Sequence, residues 1–285
     1  MDKKELIKKI TLKKEFSKLP KKDVELVFEK FDKDIYCDEE KIKLTRDLLR
    51  KVYSSFSSRK LLEIKERDVD AKSKRISRRP KLNSKFNSNE WVLNKHKSTK
   101  ERLPYYEEVY VRIFENIKEK DISVIDLGAG VNGFSYGFFN TLKCTSNKKI
   151  NYIGVEAVGQ LVELVNYFFE KNKISGKVFH LSLFEIDKIK KLIKKQKKPR
   201  IVFLFKVIDS LEVIERNYSK KLLEEIVPLV DMVVLSFATR SLGKRSKFSA
   251  HRSWIKRFID ENFEMLEDFE IGGEQYLIFQ KDKTL

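Results

Sequence analysis

The sequence predicts an α/β fold in which a doubly wound, mostly parallel sheet ends in an antiparallel hairpin and follows a helical N-terminal region. Three observations lead to this prediction. From about residue 101, apolar runs of strand length alternate with amphipathic stretches of helix length. A glycine-rich turn, 128–133, follows one of these runs, and Gly272-Gly273 joins the last two. Such alternation is typical of parallel sheets that bind ligands at the carboxyl ends of their strands.

Residues 1 to about 56 are predicted to be helical, because their apolar residues recur at helical spacing. A first stretch contains Leu6 and Ile10, and Pro20 separates it from a second stretch that begins at Val24. A third stretch runs from Ile42 towards residue 56. The simplest interpretation is a small helical bundle that buries the three apolar stripes as its core.

From about residue 101 the predicted elements follow one another in the order of a doubly wound sheet. The predicted strands are 122–127, 151–156, 177–182, 201–207, 231–237, 263–271 and 274–281. The predicted helices are 103–118, 132–142, 159–173, 185–197, 218–227 and 254–262. We therefore expect a helical, basic domain over residues 1–100 and a second domain over residues 101–285.

The turn after the first predicted strand carries the clearest indication of a ligand. Asp126 precedes Gly128 and Gly130, and the next predicted strand ends in a second acid, Glu156. Glycines let the backbone approach a nucleotide-like cofactor, and Glu156 can accept hydrogen bonds from both ribose hydroxyls. The glycine spacing alone also fits a dinucleotide-binding fold or a tight turn without a ligand. Asp-x-Gly-x-Gly and the closing hairpin instead predict a class I S-adenosylmethionine-dependent methyltransferase.

The charge of the chain is uneven. The 285 residues carry a formal net charge of +18. Residues 1–100 hold 30 Lys and Arg against 17 Asp and Glu, whereas the remainder holds 31 against 26. A surplus concentrated in the first third predicts a region that binds a polyanion, and a generally lysine-rich composition is the alternative explanation.

Cysteine and histidine usage excludes two classes of site. Cys37 and Cys144 are too few and too far apart to indicate a disulfide framework or a metal cluster. None of the three histidines has a neighbour at metal-ligand spacing, so we expect no metal.

No apolar run approaches the length of a membrane span, and we expect a soluble, cytoplasmic monomer.

A basic segment lies between the helical region and the alternating pattern. Its central cations are Lys74, Arg75, Arg78 and Arg79, and aromatic residues follow it. Basic side chains neutralise phosphates, and a nearby aromatic ring can stack on an unpaired base. A solvated linker is the alternative, although a linker rarely carries so much arginine, which suits bidentate phosphate contacts.

The residues after the fourth and fifth predicted strands limit the chemistry. The Asp/Asn-Pro-Pro motif of amine methylation is absent from 203–209, and the loops after these two strands hold no cysteine for attack at cytosine C5. Methylation of a ring nitrogen such as guanine N7 needs neither this motif nor a cysteine.

Lys206 ends an apolar strand and would either point into the cofactor cleft or face solvent. Beyond the fifth strand, Phe237 could stack on a base or lie in the core.

The basic loop after Phe237 is a second candidate RNA contact. Its cations that could grip phosphates are Arg240, Lys244 and Arg245. An exposed loop without a ligand is the alternative interpretation.

The chain resembles the aminoglycoside-resistance methyltransferases that modify guanine N7 in small-subunit ribosomal RNA. The resemblance spans roughly residues 95–281 and is most specific at Ser98-Thr99-Lys100-Glu101-Arg102. It continues through Ile125–Gly130, Val202–Lys206 and the residues around Ser236-Phe237, and it ends at Ile271–Glu274. One departure is Ala238, where family members usually carry proline.

This resemblance implies roles for particular residues. Arg102 would hold the carboxylate of S-adenosylmethionine, and Gly128 and Gly130 would contact its methionine part. Ser182 and Leu183 would lie beside the adenine, while Glu156 would hold the ribose. Lys206 and the segment from Phe237 to Arg245 would face the substrate, and the basic N-terminal region would dock on ribosomal RNA. A catalytically silent RNA-binding protein and a methyltransferase for proteins or small molecules are the competing functions.

Overall fold

Seven strands form one sheet in the computed structural model of the chain, which describes residues 2–54, 61, 89–239 and 252–282. The strands are β1 (Asp121–Leu127), β2 (Lys149–Glu156), β3 (Gly176–His180), β4 (Arg200–Phe205), β5 (Met232–Ala238), β6 (Glu264–Ile271) and β7 (Glu274–Gln280). Their order across the sheet is β3-β2-β1-β4-β5-β7-β6. β4 pairs in parallel with β1 and β5, whereas β7 pairs antiparallel with β5 and β6. The predicted sheet with its closing antiparallel hairpin is confirmed.

The helices of the described residues differ from the prediction mainly where they are short. They are α1 (Lys3–Thr11), α2 (Lys21–Glu29), α3 (Asp38–Leu49), α4 (Glu90–Leu93), α5 (Lys97–Arg102), α6 (Tyr106–Phe114), α7 (Tyr136–Thr141), α8 (Gly159–Lys171), α9 (Ile186–Lys194), α10 (Ile208–Ile214), α11 (Tyr218–Ile226) and α12 (Ser253–Asn262). The sequence pattern missed α4, α5 and α10, because so few residues do not establish a helical period. No helix in these ranges is long and apolar enough to cross a membrane.

Contacts divide the described residues into two units. The first takes its residues from Met1–Leu103, Gly130–Ser135 and Val155–Phe184. The second takes its residues from Pro104–Ala129, Tyr136–Gly154 and Glu185–Leu285. The two units are defined by contacts alone and do not test the predicted basic domain over residues 1–100. That domain remains a proposal.

The first unit holds the N-terminal helices and α8 together through backbone contacts. Pro20 separates α1 from α2, as the sequence predicts, and buried side chains of α1, α2 and α3 form a core. The N–H of Gly159, the first residue of α8, donates to the carbonyl of Lys18 at 3.0 Å. A Cβ on Gly159 would come 2.8 Å from Cβ of Lys18, so only glycine permits this approach. The Lys18 ammonium also pairs with Glu163 on α8.

The second unit has an aromatic core beneath its strands. Tyr110 of α6 packs against Phe139 of α7 with ring centroids 4.6 Å apart. Phe203 and Phe205 of β4 stack at 4.6 Å, and Tyr110 lies 6.2 Å from Phe203. Large buried rings of this kind dominate core energetics, which explains how a chain rich in charge still supports a rigid sheet.

Candidate active site

In the second unit, the turn after β1 is shaped by neighbouring side chains. Gly128 has φ of +79°, and a Cβ there would lie 2.4 Å from Cγ2 of Val207. Glycine is therefore required by both the backbone conformation and the packing. Asp126 at the end of β1 is buried and accepts a hydrogen bond from the hydroxyl of Tyr152 on β2. Burial and the Asp126 carboxylate hold the pKa of Tyr152 well above its ordinary value.

In the first unit, Gly130 links the turn to the acid at the end of β2. Its φ is +51°, and a Cβ on it would come 3.1 Å from Nε2 of His96. Its N–H donates to Oε2 of Glu156 at 2.8 Å. The imidazole of His96 therefore packs against Gly130, and Glu156 accepts its N–H. The sequence pattern gave no sign of the His96 contact, because His96 has no motif partner at fixed spacing.

The carboxylate of Glu156 is oriented by two backbone donors. Its Oε1 accepts from the N–H of Val158 at 2.8 Å, and its Oε2 accepts from Gly130. The buried side chain is therefore held in one orientation, and a carboxylate is a group that accepts hydrogen bonds from a diol. This arrangement fits the ribose of the predicted cofactor.

Arg102 is buried in the first unit at the end of α5. Its side chain belongs to a residue that is only 2% exposed, and Nη1 lies 3.5 Å from Oδ1 of Asn132. A buried guanidinium is costly unless it is hydrogen-bonded and matched by negative charge. Its planar fork of donors suits a carboxylate. The donor set thus fits the carboxylate predicted for it, and Asn132 is a partner that sequence reasoning overlooked within the glycine turn.

Ser182 and Leu183 follow β3 in the same unit as Glu156. The N–H of Leu181 donates to the carbonyl of Glu156 at 3.2 Å, which holds this segment beside the end of β2. Ser182 is fully buried, and its hydroxyl accepts from the N–H of Phe184 at 3.0 Å. The segment is therefore a fixed, largely apolar wall, which suits the flat face of an adenine.

Lys206 in the second unit is paired rather than solvated. Its φ is +58°, its side chain is 9% exposed, and its ammonium lies 3.0 Å from Oε2 of Glu274. The other Glu274 oxygen accepts from the hydroxyl of Ser236, and the Lys206 N–H donates to the Ser236 carbonyl. Glu274, which is itself bound by Ser236, therefore fixes the ammonium of Lys206. The solvent-facing orientation is excluded by this burial.

Phe237 lies near the end of β5 and is half-buried, so it is neither a fully enclosed core residue nor an exposed one. The guanidinium of Arg252 lies 5.4 Å from the centre of its ring. Its role as a residue that meets the substrate stays a prediction.

The remaining predicted site residues lie outside the described part of the chain. They are Lys74, Arg75, Arg78, Arg79, Arg240, Lys244 and Arg245. In the ranges that are described, no group of three or more His, Cys, Asp or Glu side chains is arranged to hold a metal ion.

Comparison with known proteins places these features in a context. The family described as Ribosomal RNA methyltransferase (FmrO) matches residues 84–274, which is more than half of the chain. A 16S rRNA (guanine(1405)-N(7))-methyltransferase of Micromonospora echinospora is 24% identical over 194 residues. One of Proteus mirabilis is 23% identical over the same length. These alignments cover 67% of this chain and 65% and 64% of the relatives, so the chain matches just under two thirds of their length.

Solved structures of low sequence identity share the fold. The crystal structure of 16S rRNA methyltransferase RmtF in complex with S-adenosyl-L-homocysteine has a TM-score of 0.75 at 18% identity. It covers 99% of this chain and 100% of that one. The 16S rRNA methylase RmtB has a TM-score of 0.73 at 15% identity, and the match covers 99% of each chain. The arrangement of strands and helices is thus the class I methyltransferase fold.

Proposed function

Because this chain belongs to the Ribosomal RNA methyltransferase (FmrO) family, we propose that it methylates guanine N7 in small-subunit ribosomal RNA with S-adenosylmethionine. The observation that carries the proposal is the match of residues 84–274, which includes Arg102, the glycine turn and Glu156. The relatives named as 16S rRNA (guanine(1405)-N(7))-methyltransferases support the choice of nucleotide and atom.

Residues of the first unit have the following roles in this proposal. S-adenosylmethionine, when bound, supplies a methyl group activated by its sulfonium. Glu156, whose carboxylate is oriented by the N–H groups of Gly130 and Val158, would accept hydrogen bonds from the ribose hydroxyls. Arg102 would bind the carboxylate with its planar fork. Ser182 and Leu183 would lie beside the adenine.

Residues of the second unit have roles of their own in the proposal. Asp126 and Gly128 would set the path of the backbone beside the methionine part of the cofactor. Guanine N7 presents its lone pair in the plane of the ring, so no general base is required. Methylation leaves the guanine positively charged, and an uncompensated ammonium beside it would oppose that charge. Pairing with Glu274 offsets the charge of Lys206, which can then donate a hydrogen bond to the target nucleotide.

The basic N-terminal region would dock the enzyme on its substrate. We assign RNA binding to the domain over residues 1–100, and in particular to the segment containing Lys74, Arg75, Arg78 and Arg79. Arg240, Lys244 and Arg245 would contact phosphates close to the target nucleotide. The proposed partner is the small ribosomal subunit, and the proposed state is a cytoplasmic monomer.

Transfer of tritium from labelled cofactor tests the proposal. Purified small subunits, naked ribosomal RNA and a protein extract are offered as separate substrates, and the methylated nucleoside is identified by mass spectrometry. We expect label in RNA as 7-methylguanosine. Label in protein or a small molecule would support a different methyltransferase. Cofactor and subunit binding without any transfer would indicate a catalytically silent RNA-binding protein.

Salt dependence tests the role of the basic segment. Replacing its four central cations with alanine should flatten the fall of subunit affinity with salt, because each lost phosphate contact lowers the slope by somewhat less than about one unit. The matched control replaces four exposed lysines, namely Lys191, Lys194, Lys195 and Lys197. Cofactor affinity should stay unchanged in both variants. An equal slope in the segment variant and the wild type would identify the segment as a solvated linker.

A further inference from the structure

Arg252 connects three separate parts of the second unit. Its Nε donates to Oδ1 of Asp209 at 3.0 Å, and its Nη2 donates to the other oxygen of the same carboxylate. Its Nη1 donates to the carbonyl of Ala238 at 2.6 Å. Its Cζ lies 5.4 Å from the centre of the Phe237 ring. The side chain is only 8% exposed, so the guanidinium is enclosed by these partners.

These partners lie in or near the segments that carry the residues proposed to face the substrate. Asp209 follows Lys206 by three residues and belongs to α10, whereas Phe237 and Ala238 are the last residues of β5. Arg252 therefore bonds to the end of β5.

The same strand end is held from its other side by the closing hairpin. The N–H of Thr239 donates to the carbonyl of Gly273 at 2.9 Å, and its hydroxyl donates to Glu270 at 3.0 Å. The backbone at Ala238 and Thr239 is thus bound both by Arg252 and by the closing hairpin.

We propose that Arg252 is a positioning residue for the target nucleotide. Together with Asp209 it sets the orientation of Phe237 at the end of β5. This inference rests on the proposed function. A misplacement of about 1 Å at a reacting group can cost a factor of about 100 in rate, so a side chain that fixes the ring affects the chemical step.

Only arginine can make all of these contacts at once. Its planar fork gives two bonds to Asp209 while a third nitrogen reaches Ala238, and its Cζ lies 5.4 Å from the centre of the Phe237 ring. Lysine carries the same charge on a single nitrogen and cannot satisfy the three partners together. Arg252→Lys is therefore the variant that separates geometry from charge.

The test compares Arg252→Lys and Asp209→Asn with matched changes on α12. Arg257→Lys and Asp260→Asn are the controls, because both residues are exposed on that helix. Steady-state methylation of purified small subunits gives kcat and KM, and calorimetry gives cofactor affinity. We expect Arg252→Lys to lower kcat by about tenfold or more, since it misplaces groups at the reacting centre. KM for subunits and the Kd for cofactor should stay within about threefold, because the basic segment and the first unit supply those contacts.

Asp209→Asn should give a smaller loss of kcat, since Arg252 keeps its bond to Ala238. Unchanged kcat in Arg252→Lys would overturn the inference, as would an equal loss of cofactor affinity, which would mark Arg252 as a general structural residue. A wild-type enzyme that methylates no ribosomal RNA would overturn the proposed function and this inference together. Wild-type transfer with an unaffected Arg252→Lys would overturn the inference alone.

Discussion

Replacing Glu156 with glutamine removes one negative charge and leaves the size of the side chain unchanged. In the structure both carboxylate oxygens accept backbone N–H groups, from Gly130 and from Val158. A glutamine amide has one oxygen and one NH2 group, so one of these N–H groups would face another donor. The same change removes the charged acceptor that the ribose hydroxyls of the cofactor require.

Two losses follow, and each has its own magnitude. Hydrogen bonds to a charged group contribute about 1.5–3 kcal/mol, so cofactor affinity should fall by roughly 10- to 150-fold. A buried N–H left without an acceptor costs about 1–3 kcal/mol, which lowers the free energy of unfolding of the protein without ligand. For a chain of this size that corresponds to a Tm lower by about 2–4 °C for each kcal/mol.

Calorimetric titration with S-adenosylmethionine measures the first loss, and thermal unfolding without ligand measures the second. Glu170→Gln is the matched control, because Glu170 is an exposed glutamate on α8. It should leave both quantities unchanged. The two measurements separate a ligand-binding glutamate from one that only joins the turn to β2.

An unchanged Kd in Glu156→Gln would refute the ribose assignment. If Tm nevertheless fell, Glu156 would be a structural acceptor for Gly130 and Val158 and nothing more. A fall in affinity with an unchanged Tm would contradict the energetic role that we assign to the two backbone hydrogen bonds.

Three further substitutions test the turn and the arginine. Arg102→Lys keeps the charge but loses the fork, so cofactor should bind more weakly in calorimetry, and full affinity would argue against the carboxylate role. Tyr152→Phe deletes the hydroxyl bound to Asp126 and should lower the free energy of unfolding by about 1.5–3 kcal/mol at neutral pH. Folding raises the pKa of Tyr152, so the extra stability of the wild type is complete below the ordinary pKa of 10.0 and decreases as the pH rises above it. Urea unfolding at several pH values would measure this dependence. Gly128→Ala should cost about 2–5 kcal/mol, since it combines a left-handed backbone with a clash against Val207; denaturation at wild-type urea concentrations would contradict this.

The order of strands and helices could be predicted from the sequence because it depends on local periodicity. A few neighbouring residues are enough to predict the strands β1 and β2, the turn at Gly128 and the hairpin around Gly272-Gly273. The helix Ile208–Ile214 could not be predicted in the same way, because seven residues give too short a periodic signal.

The sequence by itself determined the fold class, the Asp-x-Gly-x-Gly turn with Glu156 after it, and the concentration of positive charge in the first third. Only the tertiary structure decided which side chains these residues meet. Lys206 and Glu274 form an ion pair although 68 residues separate them, because β5 lies between β4 and β7 in the sheet. Arg252 likewise meets Asp209 across the end of β5. Pairings of this kind depend on strand order and register, and residues far apart in the chain carry no local signal of them.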